Sequence, residues 1–381
     1  MASSLRTILF SARFLKPTHT YMACHNYIHD LKCKKLLIQE FGDPLKVVQS
    51  TVENIDGPKE DEVLVQMLVA SINPADINTI QGTYPVKPEL PGVPGHEGVG
   101  KIVEVGNKVK DLTVGDIVIP NVENFGTWRS HTVVKADLVY KIPNNVPLVE
   151  VAGIASNTST AYRMLKDFVD LQPGDSVIQN GGNSAAGQNV IQFCKAWGLK
   201  SINIVRSRPD IDKLKEHLTG LGASYVLTEE ELRTTELIKS KEVPAPKLAL
   251  NCVGGKSASE LMRKLAPKGV IVTYGGMSRE PVIIPTSLLI FKDITAKGYW
   301  MTRWTSVNRH NEARRKMFDE IMDLMRSGKI KAPAHKLVPF ESYKEALENT
   351  ATSKGFAGVK YILDFRSIIF GDNTRPIPIL N

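Results

Sequence analysis

The second half of the chain alternates short apolar runs with amphipathic stretches, and this alternation constrains the fold more than any other feature. The predicted strands span residues 176–179, 202–205, 225–227, 248–251, 270–273 and 295–299. Between the first two strands, Val190, Phe193, Cys194 and Trp197 share one face at helical spacing. Alternation of strands and helices predicts an α/β fold with a parallel, doubly wound sheet.

The first part of the chain, from about residue 34 to 143, has a different pattern. Short β-like runs at 35–39, 62–69, 98–105 and 116–120 are divided by turn-forming pairs, which predicts a β-rich module. An amphipathic helix is predicted at 312–327, before a mixed tail at 333–364. Its inward residues are Met317, Ile321, Leu324 and Met325, and its outward residues are Arg314, Arg315 and Lys316.

Composition excludes several classes of protein. The 381 residues contain no run of about 18 apolar residues, so no membrane span is predicted. Cys24, Cys33, Cys194 and Cys252 are scattered without a C-x-x-C spacing, which argues against a disulfide framework and a zinc ribbon. The net charge is +8, and the charge that remains without residues 1–29, roughly +5, is too diffuse to predict a nucleic-acid partner.

The N-terminal segment carries part of the positive charge. Arg6, Arg13 and Lys16 occur among Ser, Thr and small apolar residues, and the first acid is Asp30. This composition predicts a mitochondrial transit peptide over residues 1–29 and a mitochondrial matrix location. The alternative is an N-terminal tail without a targeting role.

A nucleotide site is predicted where the first strand of the second half ends. Residues 177–188 read VIQNGGNSAAGQ, in which small residues open a helix whose free N–H groups would face a pyrophosphate. Asn183, Ser184, Ala185 and Ala186 stand where a dinucleotide fingerprint has glycines, so an ordinary strand-to-helix turn remains the alternative.

The next strand is followed by cations. NAD enzymes have an Asp or Glu about twenty residues beyond the first turn to bind the ribose 2′-hydroxyl. This chain has Arg206, Ser207 and Arg208, whose guanidinium and hydroxyl groups suit a 2′-phosphate. NADPH is therefore the predicted cofactor, and a solvated turn is the alternative.

A Gly-His-Glu motif lies in the β-rich module, within PGHEGVG at 94–100. Catalytic zinc requires three protein ligands, and Asn73, Pro74 and Ala75 stand where zinc alcohol dehydrogenases have a cysteine. No metal is therefore predicted. His96 is interpreted as a structural or substrate-lining residue, and Glu97 is expected to accept hydrogen bonds from nearby backbone donors.

Several sequence words together resemble one family. They are INPADINTIQGTYP (72–85), GTWR (126–129), TAYRML (160–165), PGDSVIQN (173–180), RSRPD (206–210), LALNCVGGKS (248–257), TYGGM (273–277), SLLIFKD (287–293) and KGYW (297–300). From about residue 35 to 363 the chain resembles the zinc-free branch of the medium-chain dehydrogenase/reductase superfamily, and within it the mitochondrial trans-2-enoyl-CoA reductases. The quinone oxidoreductases are related members of that branch.

The resemblance implies a domain organisation, an activity and an assembly. It implies a GroES-like catalytic domain at 30–155, a Rossmann domain at 156–305, a return to the catalytic domain at 306–364 and an extension at 365–381. The implied activity is NADPH-dependent reduction of enoyl-CoA or enoyl-acyl carrier protein in mitochondrial fatty acid synthesis. The implied assembly is a homodimer.

The resemblance also implies site residues. Tyr84 matches the family's proton donor. The implied cofactor contacts are Asn157, Asn183, Ser184, Ala185, Ala186, Arg206, Ser207, Arg208, Tyr274, Gly275, Gly276, Met277, Tyr299, Trp300, Met301, Thr302 and Lys360. The chain departs from the family's pattern at Ala185, Ala186 and His96, and by the extension 365–381.

Alternatives remain open at this point. A quinone oxidoreductase would use the same NADPH site without needing Tyr84, and a non-catalytic regulatory protein would bind NADPH without turnover.

Trp300 and Trp304 are interpreted either as lining an acyl tunnel or as packing. The basic run is expected to be a solvated helix face, or else to meet phosphates or an acidic carrier protein. Its members are Arg303, Arg309, Arg314, Arg315 and Lys316.

Overall fold

The computed structural model describes residues 31–352 and 359–368. Strands and helices are numbered in chain order. The predicted transit peptide at 1–29 and most of the predicted extension at 365–381 lie outside the described residues. Within the described ranges, no helix is long and apolar enough to cross a bilayer.

The β-rich module is built on a seven-stranded sheet with the order β14-β15-β3-β4-β5-β7, and β6 also pairs with β3. Its strands are β3 (Glu62–Ser71), β4 (Gly98–Val105), β5 (Ile117–Pro120), β6 (His131–Lys135), β7 (Val139–Ile142), β14 (His335–Pro339) and β15 (Lys360–Asp364). A two-stranded antiparallel sheet precedes it, formed by β1 (Leu31–Ile38) and β2 (Val48–Ile55). Because β15 pairs with β3, the end of the chain returns to the first module.

The second module contains a six-stranded parallel sheet, so the predicted α/β class and doubly wound sheet are confirmed. Its strands are β8 (Ser176–Asn180), β9 (Lys200–Val205), β10 (Tyr225–Thr228), β11 (Leu248–Asn251), β12 (Val270–Thr273) and β13 (Thr295–Gly298). The order is β10-β9-β8-β11-β12-β13. The order changes direction between β8 and β11, and ligands bind such sheets at the carboxyl ends of the strands beside that point.

The helices cover the sheets and join the modules. They are α1 (Pro44–Val47), α2 (Pro74–Ile80), α3 (Leu148–Val151), α4 (Ser159–Asp167), α5 (Ala185–Ala196), α6 (Ile211–Leu221), α7 (Glu229–Thr234), α8 (Gly255–Lys264), α9 (Thr286–Lys292), α10 (Met301–Asn308), α11 (Glu312–Arg326) and α12 (Tyr343–Thr352). A π-helical turn at Ile154–Thr158 leads directly into α4. The chain crosses from the β-rich module to the parallel sheet through this turn and α4.

One hydrophobic core joins the two modules. The predicted inward face of α5 is buried, since Val190, Phe193 and Cys194 are fully covered and Trp197 is partly covered. The same core includes Met317 and the rest of the inward face of α11, together with β-module residues. Burial of this shared apolar surface is expected to hold the modules together.

The prediction that Arg314 faces outward is wrong. Its residue surface is 3% exposed, its Nη1 donates to Asn121 Oδ1, and its guanidinium carbon lies 5.0 Å from the centroid of the Phe318 ring. Asn121 follows β5, so the first turn of α11 packs against the loop after that strand. This contact covers a helix face that periodicity alone assigns to solvent.

The rest of the basic run is mostly solvated, as expected. Arg303, Arg315 and Lys316 are exposed, and Arg309 donates to the backbone oxygen of Asp137. Trp304 packs beside the shared core and lies under the guanidinium of Arg163, 4.6 Å from its ring centroid. Trp304 therefore has the packing role rather than a tunnel-lining role.

Candidate active site

A cleft of about 1240 Å³ is lined by residues of both modules. The predicted site residues that line it are Tyr84, Asn157, Asn183, Ser184, Ala185, Ala186, Arg206, Arg208, Tyr274, Gly275, Gly276, Met277, Tyr299, Trp300, Met301, Thr302 and Lys360. Ser207 is exposed and is not among the lining residues. The structure thus brings together residues far apart in sequence, and their individual roles stay predictions.

The turn after β8 packs closely against the neighbouring strand end and leads into a helix. Gly181 has a φ of +60°, and a Cβ built there would lie 2.5 Å from Cys252 Sγ. Ser184 begins α5, and its hydroxyl accepts a hydrogen bond of 3.0 Å from the backbone N–H of Gly187. The remaining N–H groups of the first helical turn and the positive helix end suit a pyrophosphate, so this turn fits a dinucleotide.

The cations after β9 extend this site. Arg206 is exposed, Arg208 is half-buried, and Arg208 Nε donates to the Arg206 backbone oxygen at 3.4 Å. Burial, and then repulsion from Arg206, hold the pKa of the Arg208 guanidinium below its usual range. An anion bound between the two guanidiniums would relieve that repulsion, and a 2′-phosphate is such an anion.

Tyr84 reaches across the cleft to the other module. It lies in the loop after α2, and its hydroxyl oxygen accepts a 2.8 Å hydrogen bond from Trp300 Nε1. The two rings meet edge to face with centroids 6.1 Å apart. Because Trp300 is a donor only, the hydroxyl proton of Tyr84 is left for another acceptor. The phenol is therefore held in the cleft with its hydroxyl proton available for a further hydrogen bond.

His96 lies beside this phenol, with ring centroids 5.8 Å apart. His96 Nε2 forms a 3.0 Å hydrogen bond with Thr79 Oγ1 and lies 3.8 Å from Asp76 Oδ1. Burial raises the pKa of the Asp76 carboxyl. Across residues 31–352 and 359–368, no group of three or more His, Cys, Asp or Glu side chains could hold a metal ion. His96 thus contributes polarity to the cleft wall.

Glu97 forms the buried polar centre of the boundary between the modules. Its Oε1 accepts hydrogen bonds from Asn73 Nδ2 at 2.7 Å and Lys360 Nζ at 3.0 Å. Its Oε2 accepts from the backbone N–H of Ser156 at 2.9 Å, and Asn157 Nδ2 donates to Asn73 Oδ1 at 2.8 Å. Glu97 therefore accepts one backbone donor, as expected, and also two side chains that the sequence interpretation did not pair with it.

Glu123 is a cleft residue that the sequence reasoning missed. It follows β5, and its Oε2 accepts a 3.4 Å hydrogen bond from Thr302 Oγ1. Burial raises the pKa of its carboxyl above the ordinary value. A lone glutamate in a loop has no spacing signal, so only the fold identifies its neighbourhood.

Two protein-family models match the chain. The model described as "Alcohol dehydrogenase GroES-like domain" matches residues 59–144, and the model described as "Zinc-binding dehydrogenase" matches residues 185–325. The first range contains β3 to β7 of the β-rich module, and the second contains β9 to β13 of the parallel sheet.

Curated relatives match nearly the whole chain. The rat protein named mitochondrial enoyl-[acyl-carrier-protein] reductase is 46% identical over 91% of this chain and 92% of its own length. The human protein of the same name is 47% identical over 87% of this chain and 88% of its own length. Their names agree with the mitochondrial location predicted from the N-terminal composition.

Solved structures match the fold. The complex described as Etr1p/NADP/crotonyl-CoA has a TM-score of 0.81 and 34% identity, covering 88% of this chain and all of that one. The Etr1p/Etr2p heterodimer of mitochondrial 2-enoyl thioester reductase from Candida tropicalis has a TM-score of 0.80 at the same identity, again covering 88% of this chain and all of that one. A putative NADPH:quinone reductase from Bacillus thuringiensis has a TM-score of 0.76 and 26% identity, covering 88% of this chain and 99% of that chain.

Proposed function

The chain belongs to the mitochondrial enoyl-[acyl-carrier-protein] reductase family, and we propose that it reduces trans-2-enoyl thioesters to saturated acyl thioesters with NADPH. The observation that carries this proposal is the Tyr84 phenol, which Trp300 holds in the same cleft as the α5 turn and the arginine pair. The protein is mitochondrial; its location in the matrix and the role of residues 1–29 are part of the proposal.

In the proposed reaction the cofactor supplies a hydride and the chain supplies a proton. When bound, NADPH supplies the hydride that adds to Cβ of the enoyl thioester. Tyr84 then delivers its hydroxyl proton to Cα, and the Trp300 N–H stabilises the phenolate that remains, because hydrogen bonds to a charged form favour it. The first turn of α5 would hold the pyrophosphate, and Arg206 and Arg208 would hold the 2′-phosphate.

The test is oxidation of NADPH by the purified chain, followed by absorbance, with trans-2-hexenoyl-CoA and trans-2-decenoyl-CoA. We expect oxidation that depends on the enoyl thioester and is much slower with NADH. A parallel assay with 1,4-naphthoquinone is the control. Oxidation with the quinone alone would move the chain to the quinone reductases. NADPH binding without turnover on either acceptor would indicate a regulatory protein.

We also propose that the protein forms a homodimer through strand β13. This strand is the outer strand of the parallel sheet, and all four of its residues are exposed. Beside it on α9, Leu289, Ile290 and Phe291 are 45%, 66% and 81% exposed. An open strand edge with apolar neighbours suits pairing with a second copy across a two-fold axis, which would join two sheets and cover the apolar residues.

Replacement of Phe291 by aspartate is expected to convert this dimer to a monomer, because an unpaired charge would be buried where the two copies are proposed to meet. Light scattering after size-exclusion chromatography measures the mass. Val114→Asp is the matched control, since Val114 is 62% exposed in a turn of the other module. A dimer that survives Phe291→Asp would show that the contact lies elsewhere, and a monomeric wild type would exclude the homodimer.

A further inference from the structure

A chain of hydrogen bonds leads from Tyr84 along the cleft wall to Glu123. Tyr84 Oη and Thr302 Oγ1 are 3.4 Å apart, and Thr302 Oγ1 in turn donates to Glu123 Oε2 at 3.4 Å. Because Thr302 gives its one hydroxyl proton to Glu123, the phenol is the donor in its bond with Thr302. The bonds therefore run in one direction, from indole to phenol to hydroxyl to carboxyl.

The carboxyl at the end of this chain is partly buried in a mixed-charge environment. Burial and the nearby Glu97 raise the pKa of Glu123, whereas His96, Arg314 and the Thr302 hydrogen bond lower it, and burial is the largest effect. The Arg314 guanidinium donates a hydrogen bond to Asn121 Oδ1. Glu123 can therefore carry a proton closer to neutral pH than a solvent-exposed glutamate does.

Tyr84 needs a proton source after each turnover. Of the described side chains bonded to its hydroxyl, Trp300 does not release its indole proton near neutral pH, whereas Thr302 can pass a proton on while it receives another. Return of the proton through Thr302 does not require the product to leave first.

We propose that Glu123 and Thr302 form a proton relay that returns a proton to Tyr84 after it has protonated the substrate. The relay rests on the proposed reductase function. The O–H bond of Tyr84 breaks as the Cα–H bond forms, and the phenolate then takes the Thr302 hydroxyl proton. Thr302 takes the carboxyl proton of Glu123, and the resulting carboxylate regains a proton from water. Both act through Tyr84 and are positioning residues rather than catalytic residues.

The test compares the first turnover with later ones. Enzyme saturated with NADPH is mixed rapidly with trans-2-hexenoyl-CoA. Wild type and Glu123→Gln are expected to oxidise the first equivalent of NADPH at similar rates, because Tyr84 is protonated at the start. The steady-state rate that follows is expected to be about tenfold lower in Glu123→Gln than in wild type. Its solvent deuterium isotope effect is expected to be larger than that of wild type.

Control variants separate the relay from general damage. Glu320→Gln removes another carboxyl that accepts a tyrosine hydroxyl, that of Tyr162 at 2.6 Å, and is expected to leave both phases unchanged. Thr302→Val is expected to lower the steady-state rate as Glu123→Gln does, and Thr302→Ser, which keeps the hydroxyl, is expected to restore it.

The remaining outcomes overturn the relay. Equal steady-state rates in wild type, Glu123→Gln and Thr302→Val would show that water reprotonates Tyr84 directly. Equal slowing of the first and later turnovers would show that Glu123 only shapes the site. A wild type that never oxidises NADPH with the enoyl thioester would instead reject the proposed function itself, and that result is distinct from the other two.

Discussion

Replacement of Tyr84 by phenylalanine is expected to lower kcat for enoyl thioester reduction by about 10²–10⁴-fold, the usual contribution of a general acid. The ring remains able to pack against Trp300 and His96, so NADPH affinity and the stability of the fold are expected to stay near wild type. Steady-state NADPH oxidation, cofactor titration and thermal unfolding measure the three quantities separately.

The control for this variant is Tyr225→Phe. Tyr225 lies on the outer strand β10, where its hydroxyl donates to Glu242 at 3.2 Å, outside the cleft lining. Its removal is expected to leave kcat unchanged. If Tyr84→Phe kept full activity with enoyl thioesters, another group would have to supply the Cα proton, and Tyr84 would be a packing residue.

Simultaneous replacement of Arg206 and Arg208 by alanine is expected to raise KM for NADPH by about 10²–10⁴-fold while KM for NADH changes little. Hydrogen bonds to charged groups contribute about 1.5–3 kcal/mol each, and two of them would be lost only with the cofactor that carries the 2′-phosphate. The ratio of kcat/KM values for the two cofactors measures this effect without reference to the total activity.

A double variant of equal charge loss provides the comparison. Arg315→Ala with Lys316→Ala removes two exposed cations from α11 and is expected to leave both cofactor KM values unchanged. If the arginine variant weakened NADPH and NADH equally, the pair would contact a part common to both cofactors. If it weakened neither, the 2′-phosphate would bind elsewhere.

The fold could be predicted largely from the sequence because its signals are local. The predicted runs at 248–251 and 270–273 coincide with β11 and β12, since a buried parallel strand is a continuous apolar segment between turns. The return of residues 306–364 to the catalytic domain was implied by the family resemblance alone, and the pairing of β15 with β3 was not predicted. No local pattern in either strand identifies a partner nearly 300 residues away.

The parts of the site that a local motif defines could be predicted from the sequence. The parts that form where separate loops meet could not. The small residues after β8 indicate a tight turn into a helix. The cations after β9 were identified by their position at the end of the next strand, about twenty residues beyond that turn. Glu123 and Arg314 carry no such pattern, and the outward assignment of Arg314 failed because the loop after β5 covers that face of the helix. Contacts between loops depend on the packed tertiary structure, which helical or strand periodicity does not encode.

The position of β15 has a consequence for how the protein is made. This strand lies between β14 and β3, and Lys360 at its start neutralises the buried carboxylate of Glu97. During synthesis the parallel sheet can form first, whereas the opening module must wait until nearly the last part of the chain emerges. A premature stop just before Lys360 would leave every residue of the nucleotide turn in place and still be expected to abolish the enzyme, because it leaves a buried charge unpaired and a sheet incomplete.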